Sequence, residues 1–546
     1  MKKYIYLAVT ICCLASCSEE MNYEEYNVYE KQDIDGDFEY VGGLMSTIYR
    51  QLDYDYGQNY SGAMLASATD EAEYAYTGNS IESYYNGSWS PTNPLSDQWT
   101  TAYKGISYCN LFLDEFQGLT YPEQEINLDY HKQMHRYENY QWEARWARAY
   151  FYFTLVRQYG GVPLVTKNIS AEESTTLSRS TADEVFQFII SECDAIKDKI
   201  IANYITDDQA LEAPETGRAD RLAVLALKAR ATLYQASPLF NVNGDRELWH
   251  QAALAQKELL DEAALQGKRL ANSYAGLWGT DNYINSDACA EIILGRRIGS
   301  ISTPEGYNYP VGIEGGKGGN CPTQTLVDAY ETGDIRLSAT VAQNGETGWP
   351  ANNSSPLETY YGGKHAQPLS GGTPTGYYLK KLCHGSIDLS AKSKLKADNH
   401  TYTLFRLGEF YLNYAEAVFR YLGDAYATTA ELPMSAAEAL NKTRQRAKLA
   451  DLSTSLTIDQ FWTTYKLERF VELAFEGHRF WDVRRWHEAD KHFTTITELK
   501  LTLQTDGTIS SERVTVSRQW TDKMYLAPIP QTELMKNPRL EQNPGW

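Results

Sequence analysis

Between Gly295 and Gly385 the chain packs 17 of its 38 glycines and 7 of its 18 prolines into 91 residues. An interior glycine costs a helix about 1 kcal/mol and a proline about 3, so no long helix survives this density. The stretch still carries rings, among them Tyr307, Tyr309, Trp349, Tyr360, Tyr361, Tyr377 and Tyr378. A second aromatic and polar excursion runs from Tyr54 to Trp89. Irregular stretches this long are uncommon in compact domains and are often functional.

Around them the pattern is helical. Leu222, Leu225, Ala226, Ala229, Leu233 and Ala236 fall on one face of a 3.6-residue period, as do Trp99, Ala102, Tyr103, Ile106 and Leu113. Ala144, Ala147, Phe151 and Leu155, and later Phe405, Gly408, Leu412, Ala415 and Phe419, repeat it. Small alanines among large aromatics suit closely packed helix pairs of the tetratricopeptide type, although no strict 34-residue period emerges. The expected fold is mainly α: one unit of degenerate helix pairs carrying long irregular loops.

The 546 residues include 50 Lys and Arg against 71 Asp and Glu, a net charge of −21. A nucleic-acid binder needs a basic face to displace counterions, and a polybasic lipid contact needs the same, so neither is expected. The 41 tyrosines point elsewhere, to wet recognition surfaces and a neutral ligand.

The N-terminus gives an address. Lys2 and Lys3 precede an apolar run from Tyr4 to Ala15, too short to span a bilayer and suited to a secretory signal. Leu14-Ala15-Ser16-Cys17 resembles a bacterial lipobox, whereas Cys12 and Cys13 lack the small residue before them. The resemblance implies removal of residues 1–16 and acyl chains on Cys17, enough to hold a protein at a membrane. Ser18-Glu19-Glu20 resembles a short acidic export signal for the cell surface. Cys109, Cys193, Cys289, Cys321 and Cys383 form no CxxC spacing and are expected mostly as small buried apolar groups.

Several tempting sites fail on spacing. Glu468, Glu472 and Glu476 at i, i+4 and i+8 are expected on one helix face, where carboxylates cannot flank a glycosidic bond. Pairing with Arg469, Arg479, Arg484 and Arg485 is the expectation for them. His131 and His135 lack the Glu of an HExxH motif and read as an exposed pair. Gly312–Gly319 lacks the GxxxxGK[ST] spacing of a phosphate loop, and no GxSxG elbow occurs. Asp53, Asp55, Asp70 and Glu71 are hard-oxygen groups without EF-hand spacing. No catalytic residue, metal site or cofactor is assigned.

Five blocks in order then resemble the SusD/RagB family of Bacteroidetes nutrient-binding lipoproteins. They are Glu143–Phe153 (EARWARAYFYF), Tyr159–Val165 (YGGVPLV), Leu440–Ala447 (LNKTRQRA), Glu468–Trp486 (ERFVELAFEGHRFWDVRRW) and the closing Pro528-Ile529-Pro530, Asn537-Pro538 and Gln542–Gly545. The resemblance spans Cys17 to Trp546 and implies a single SusD-like domain over 17–546, with an N-terminal part at about 22–220 and a C-terminal part at about 270–546. It further implies a non-enzymatic outer-membrane lipoprotein, facing outward, that binds oligo- or polysaccharide and passes it to a SusC-like TonB-dependent transporter. A peptide-binding member of the family, a surface glycoside hydrolase and a protein-binding helical scaffold are the alternatives.

Sugars present apolar C–H faces that stack on Tyr and Trp, while amides and carboxylates hold their hydroxyls. The candidate ligand contacts are Tyr74, Tyr76, Tyr84, Tyr85, Asn86 and Trp89 in the first excursion, and Trp278, Tyr307, Tyr309, Trp349 and Tyr360 in the second half. The resemblance implies that these two regions meet on the solvent-facing side.

Overall fold

Local capping decides where most helices begin. Asp37 accepts from the amide of Glu39 at the start of α1 (Phe38–Tyr49), and reciprocal Thr181–Glu184, Ser435–Glu438 and Thr457–Gln460 boxes open α4 (Ala182–Ile196), α8 (Ala436–Arg446) and α9 (Ile458–Glu472). Asp220 and Asp245 cap α5 (Arg221–Ala236) and α6 (Arg246–Leu265). The remaining long helices are α2 (Gln98–Glu115), α3 (Tyr130–Tyr159) and α7 (Leu407–Leu422), and α10 (Arg479–Arg485) is a short one near the C-terminus. The computed structural model describes residues 36–96, 98–209, 215–278 and 286–546; Cys17, the signal segment and Ser18–Glu20 lie outside them.

The helices stack in chain order. α2 packs on α3, α3 on α4, α4 on α5, α5 on α6, α6 on α7 and α7 on α8, with α9 closing against α7 and α8. The alanines explain the close approach: Ala252 and Ala253 of α6 meet Ala415 and Ala417 of α7 in one buried cluster with Leu233 and Leu412. The glycine-rich excursion is inserted whole between α6 and α7, so the stack continues across it. Its helices are only six residues long, at Thr303–Asn308, Gln324–Ala329 and Ile335–Thr340.

Strands are the element that periodicity did not announce. Among the described residues there are four antiparallel pairs: β1 (Ala72–Tyr74) with β3 (Asn320–Pro322), β2 (Ile292–Ile301) with β6 (Asp398–Arg406), β4 (Val341–Ala342) with β5 (Tyr378–Leu379), and β7 (Thr495–Leu503) with β8 (Ile509–Ser517). β6 runs directly into α7, so Phe405, expected on the helical stripe, is a buried strand residue.

The expected three-glutamate helix face is corrected. α9 ends at Glu472, and Phe475 and Gly477 take left-handed backbone angles (φ +61° and +75°), so Glu476 sits in the turn before α10. The carboxylates do form an ion network, but with distant partners. Glu468 meets Arg336 (2.6 Å), Glu472 meets Arg336 (2.9 Å), Arg406 (2.6 Å) and Arg446, and Glu476 meets Arg406 (2.7 Å) and Lys381 (2.8 Å). Of the expected partners, Arg469 and Arg485 bind Asp482, Arg479 binds Asp70, and Arg484 makes no ion pair among the described residues. Three arginines hold Glu472 well below the usual carboxylate range despite its complete burial.

Candidate functional site

The short β1–β3 ladder decides where the loop aromatics go. It pairs Ala72 with Pro322, Glu73 with Cys321 and Tyr74 with Asn320, and so zips the first excursion to the second. Asn320 locks the join while fully buried. Its amide donates to Gly62 O (3.0 Å) and Asn308 Oδ1 (2.8 Å), and its Oδ1 accepts from the Met64 amide (2.7 Å) and Ser67 Oγ (2.9 Å). Every hydrogen-bonding position of that side chain is in use, and any loss would leave a partner unsatisfied.

Beyond the ladder an open depression of about 370 Å³ is lined by Tyr74, Tyr76, Tyr307, Lys317, Asn79 and the backbone of the turns at Ser61 and Thr77-Gly78. The Tyr74 and Tyr76 rings lie 5.7 Å apart at 45°. Tyr76 OH donates to Lys317 O (2.8 Å), Tyr74 OH to Ser61 O (3.1 Å), and the Lys317 ammonium stands 5.0 Å from the Tyr307 ring centre. Burial together with the neighbouring phenols pushes the Tyr74 hydroxyl up to about 12, so it is a neutral donor at neutral pH. Gly319 makes the close approach possible, because a Cβ there would lie 2.7 Å from Tyr307 O and 2.9 Å from the Tyr74 ring. The rings are thus fixed before any ligand arrives, which lowers the ordering cost of binding.

Of the eleven candidate contacts, this depression gathers Tyr74, Tyr76 and Tyr307. Tyr84 and Trp89 lie outside this depression, and Tyr309 is corrected to a packing residue. Tyr84 and Trp89 stack edge-to-face on each other (4.8 Å), on Phe480 and on Trp546, and both are buried. Tyr309 is 0% exposed, with its hydroxyl donating to His384 O at 2.7 Å. Trp278 and Trp349 line a separate pocket of about 350 Å³ beside Lys380 and Lys381. Tyr85 lies beneath the Arg518 guanidinium (4.2 Å), Asn86 caps its own turn through Ser88, and Tyr360 is half-buried in the loop whose next residue donates to Leu501 O of β7. Lys317, Asn79 and the Ser61 turn were missed. The signal for Lys317 was present in the glycine-rich Gly312–Gly319 loop, whose glycines bring its backbone onto the tyrosines.

The other sequence candidates resolve into structural roles. His135 binds Asp207 (2.7 Å) and is half-buried, while His131 is exposed beside Tyr130. Asp70 clamps Arg479 with both oxygens, Glu71 accepts from the Phe475 amide, and Asp55 accepts from the Gly57 and Leu65 amides. Cys109, Cys193, Cys321 and Cys383 are buried free thiols and Cys289 is half-buried. No helix among the described residues is long and apolar enough to cross a membrane.

Two family models match the chain: the SusD family over residues 295–546, and a family described as starch-binding and associating with the outer membrane over residues 28–233. The chain belongs to the SusD-like family. A SusD-like protein P25 of Formosa agariphila is 23% identical over 416 residues, covering 72% of this chain and 70% of the relative. Among solved structures, a SusD-like protein of Bacteroides fragilis superposes with a TM-score of 0.75 at 24% identity, over 94% of this chain and 98% of that one. A surface glycan-binding protein A from Bacteroides fluxus does so with a TM-score of 0.64 at 20% identity, over 93% and 99%. The SusD-like fold is therefore shared along nearly the whole chain, with the helical stack and the β1–β3 ladder as its frame here.

Proposed function

We propose that this SusD-like protein captures oligo- or polysaccharide at the outer cell surface on the Tyr74–Tyr76–Tyr307 shelf and delivers it to a SusC-like TonB-dependent transporter. The observation that carries the reading is the ladder that brings rings from two distant excursions onto one open depression. The half-buried Tyr76 and Tyr307 rings offer stacking faces with the buried Tyr74 ring behind them, and Asn79, Lys317 and the turns at Ser61 and Thr77-Gly78 surround them with polar groups suited to sugar hydroxyls. No carboxylate stands among the described residues lining the shelf, so the acid pair that glycoside hydrolysis requires is missing there and binding alone is the activity proposed. The resemblance of Leu14–Cys17 to a lipobox and the matched family's description as associating with the outer membrane support the surface location proposed. A wet, shallow site implies modest affinity, offset in use by delivery into a partner.

A glycan array probed with the full chain, followed by calorimetric titration of each hit, tests this. The expected result is saturable binding of at least one neutral glycan class, no release of reducing ends on prolonged incubation and no binding of a mixed peptide library. Binding of peptides alone would replace the glycan by a peptide cargo, and steady release of reducing ends would make the protein an enzyme.

A further inference from the structure

A cavity of about 380 Å³ lies between the helical stack and the loop half, sharing no lining residue with the shelf. That volume falls within the roughly 300–1,000 Å³ typical of small-molecule sites. Its walls join Arg157 of α3, Arg296 of β2 and Arg484 of α10 to Asp53 and Asp55 of the first excursion. Arg50, Gln58 and Asn59 are the exposed lining residues and mark its opening.

The charges in this cavity do not balance. Arg484 is 3% exposed and, among the described residues, donates only to the carbonyls of Phe480 (3.0 Å) and Met524 (3.2 Å). Its guanidinium lies 3.4 Å from the Phe480 ring centre, and no carboxylate pairs with it among the described residues. Arg157 reaches Asp53 only at 4.0 Å, and its buried Nε has no hydrogen-bond partner among the described residues. Arg296 is spent on the carbonyls of Arg50 and Leu52. On the acidic side, both Asp55 oxygens are taken by the backbone amides of Gly57 and Leu65, and burial pushes that carboxyl up to about 6. Arg230, in the same wall, shows the contrast: Glu409 clamps it with two bonds of 2.7 and 2.5 Å. Arg157 and Arg296 thus share Asp53, Arg484 faces the cavity with no carboxylate partner among the described residues, and Glu476 of the same wall is taken by Arg406 and Lys381. An ion removed from water without a counter-charge costs several kcal/mol, and a planar guanidinium matches a carboxylate fork best.

We infer that this cavity is a second binding site, taking a ligand that carries a carboxylate between Arg157 and Arg484, with Tyr84 and Trp89 as its aromatic wall. The shared chemistry is an organic carboxylate, either a hexuronate residue or a small free acid. The inference does not depend on the shelf being a glycan site.

The test is calorimetry and thermal unfolding of the full chain with sodium D-glucuronate, sodium acetate and D-glucose at constant ionic strength. We expect glucuronate to bind one-to-one and raise the melting temperature while glucose does neither. Arg484→Met should weaken glucuronate at least tenfold, and Tyr307→Ala should leave it unchanged; should Arg484→Met fail to fold, Arg157→Gln, from a different helix, makes the same test. Acetate binding as tightly as glucuronate supports the site with a small acid as its occupant, and tighter glucuronate supports a uronate. No binding of either acid, retention in both arginine variants, or loss in Tyr307→Ala would overturn the inference.

Discussion

Glu416 of α7 shows how strongly the buried ions hold the C-terminal half. Its two oxygens accept from both Arg485 Nη atoms (2.7 and 2.6 Å), from Tyr465 OH (2.7 Å) and from Trp486 Nε1 (2.8 Å), and all four residues are buried. Arg485, Arg469 and the Tyr465 hydroxyl outweigh burial and bring its carboxyl from 4.5 down to about 2. Because the folded value is depressed, the stabilisation is complete above the unfolded pKa and disappears as pH falls from about 4.5 to about 2. At 1.36 kcal/mol per pKa unit the linkage contributes about 3 kcal/mol at neutral pH. Glu416→Gln removes the charge and leaves Arg485 with Asp482 alone, and breaking one side of a buried pair costs about 3–5 kcal/mol. Urea unfolding at pH 7 should show that loss, and the stability of the variant should fall less steeply between pH 4.5 and 3 than that of the parent. Replacing both partners, Glu416→Leu with Arg485→Met, should cost less than the two single changes together. A loss under 1 kcal/mol for Glu416→Gln, or an unchanged acid slope, would refute the reasoning.

Other consequences are equally direct. Gly319→Ala places a methyl group against Tyr307 O and the Tyr74 ring, and should cost about 1–3 kcal/mol in denaturant unfolding while weakening glycan binding. His478 is held neutral, its pKa driven well below the ordinary value by burial and by Arg230, Arg469, Arg406 and Arg157. The unfolded chain gains a proton there that the folded one refuses, so stability should decline as pH falls below about 6.5, and His478→Asn should flatten that decline in urea titrations. Cys17→Ala should move the protein from the membrane to the soluble fraction on cell fractionation, and continued sedimentation with membranes would contradict the lipid anchor.

The helical stack was legible because its information is local. The stripes in α2, α3, α5 and α7 repeat every three or four residues, and the glycine-rich stretch from Gly295 falls within the gap between α6 and α7 where the stack pauses. Which ring faces solvent is not local. Tyr307 and Tyr309 are two residues apart in one aromatic loop, yet Tyr309 is buried because His384 O accepts its hydroxyl, a contact no short-range pattern encodes. The same holds for the glutamates. Glu472 and Glu476 announced an ion network, but its arginines, Arg336, Arg406 and Arg446, come from three other segments, and the left-handed turn at Phe475 and Gly477 took Glu476 off the helix. The β1–β3 join rests on Asn320, an ordinary polar residue until its four hydrogen bonds are seen together.

The central claim is that one shelf, built by both excursions, grips carbohydrate by contact. Its most direct test is calorimetric titration of the glycan identified by array into the parent and into a folded Tyr76→Ala/Tyr307→Ala variant. Loss of two aromatic faces at about 1–2 kcal/mol each predicts at least a tenfold rise in Kd, with the circular dichroism spectrum and a cooperative urea transition retained. Undiminished glycan binding by that variant would place the recognition surface elsewhere on the molecule.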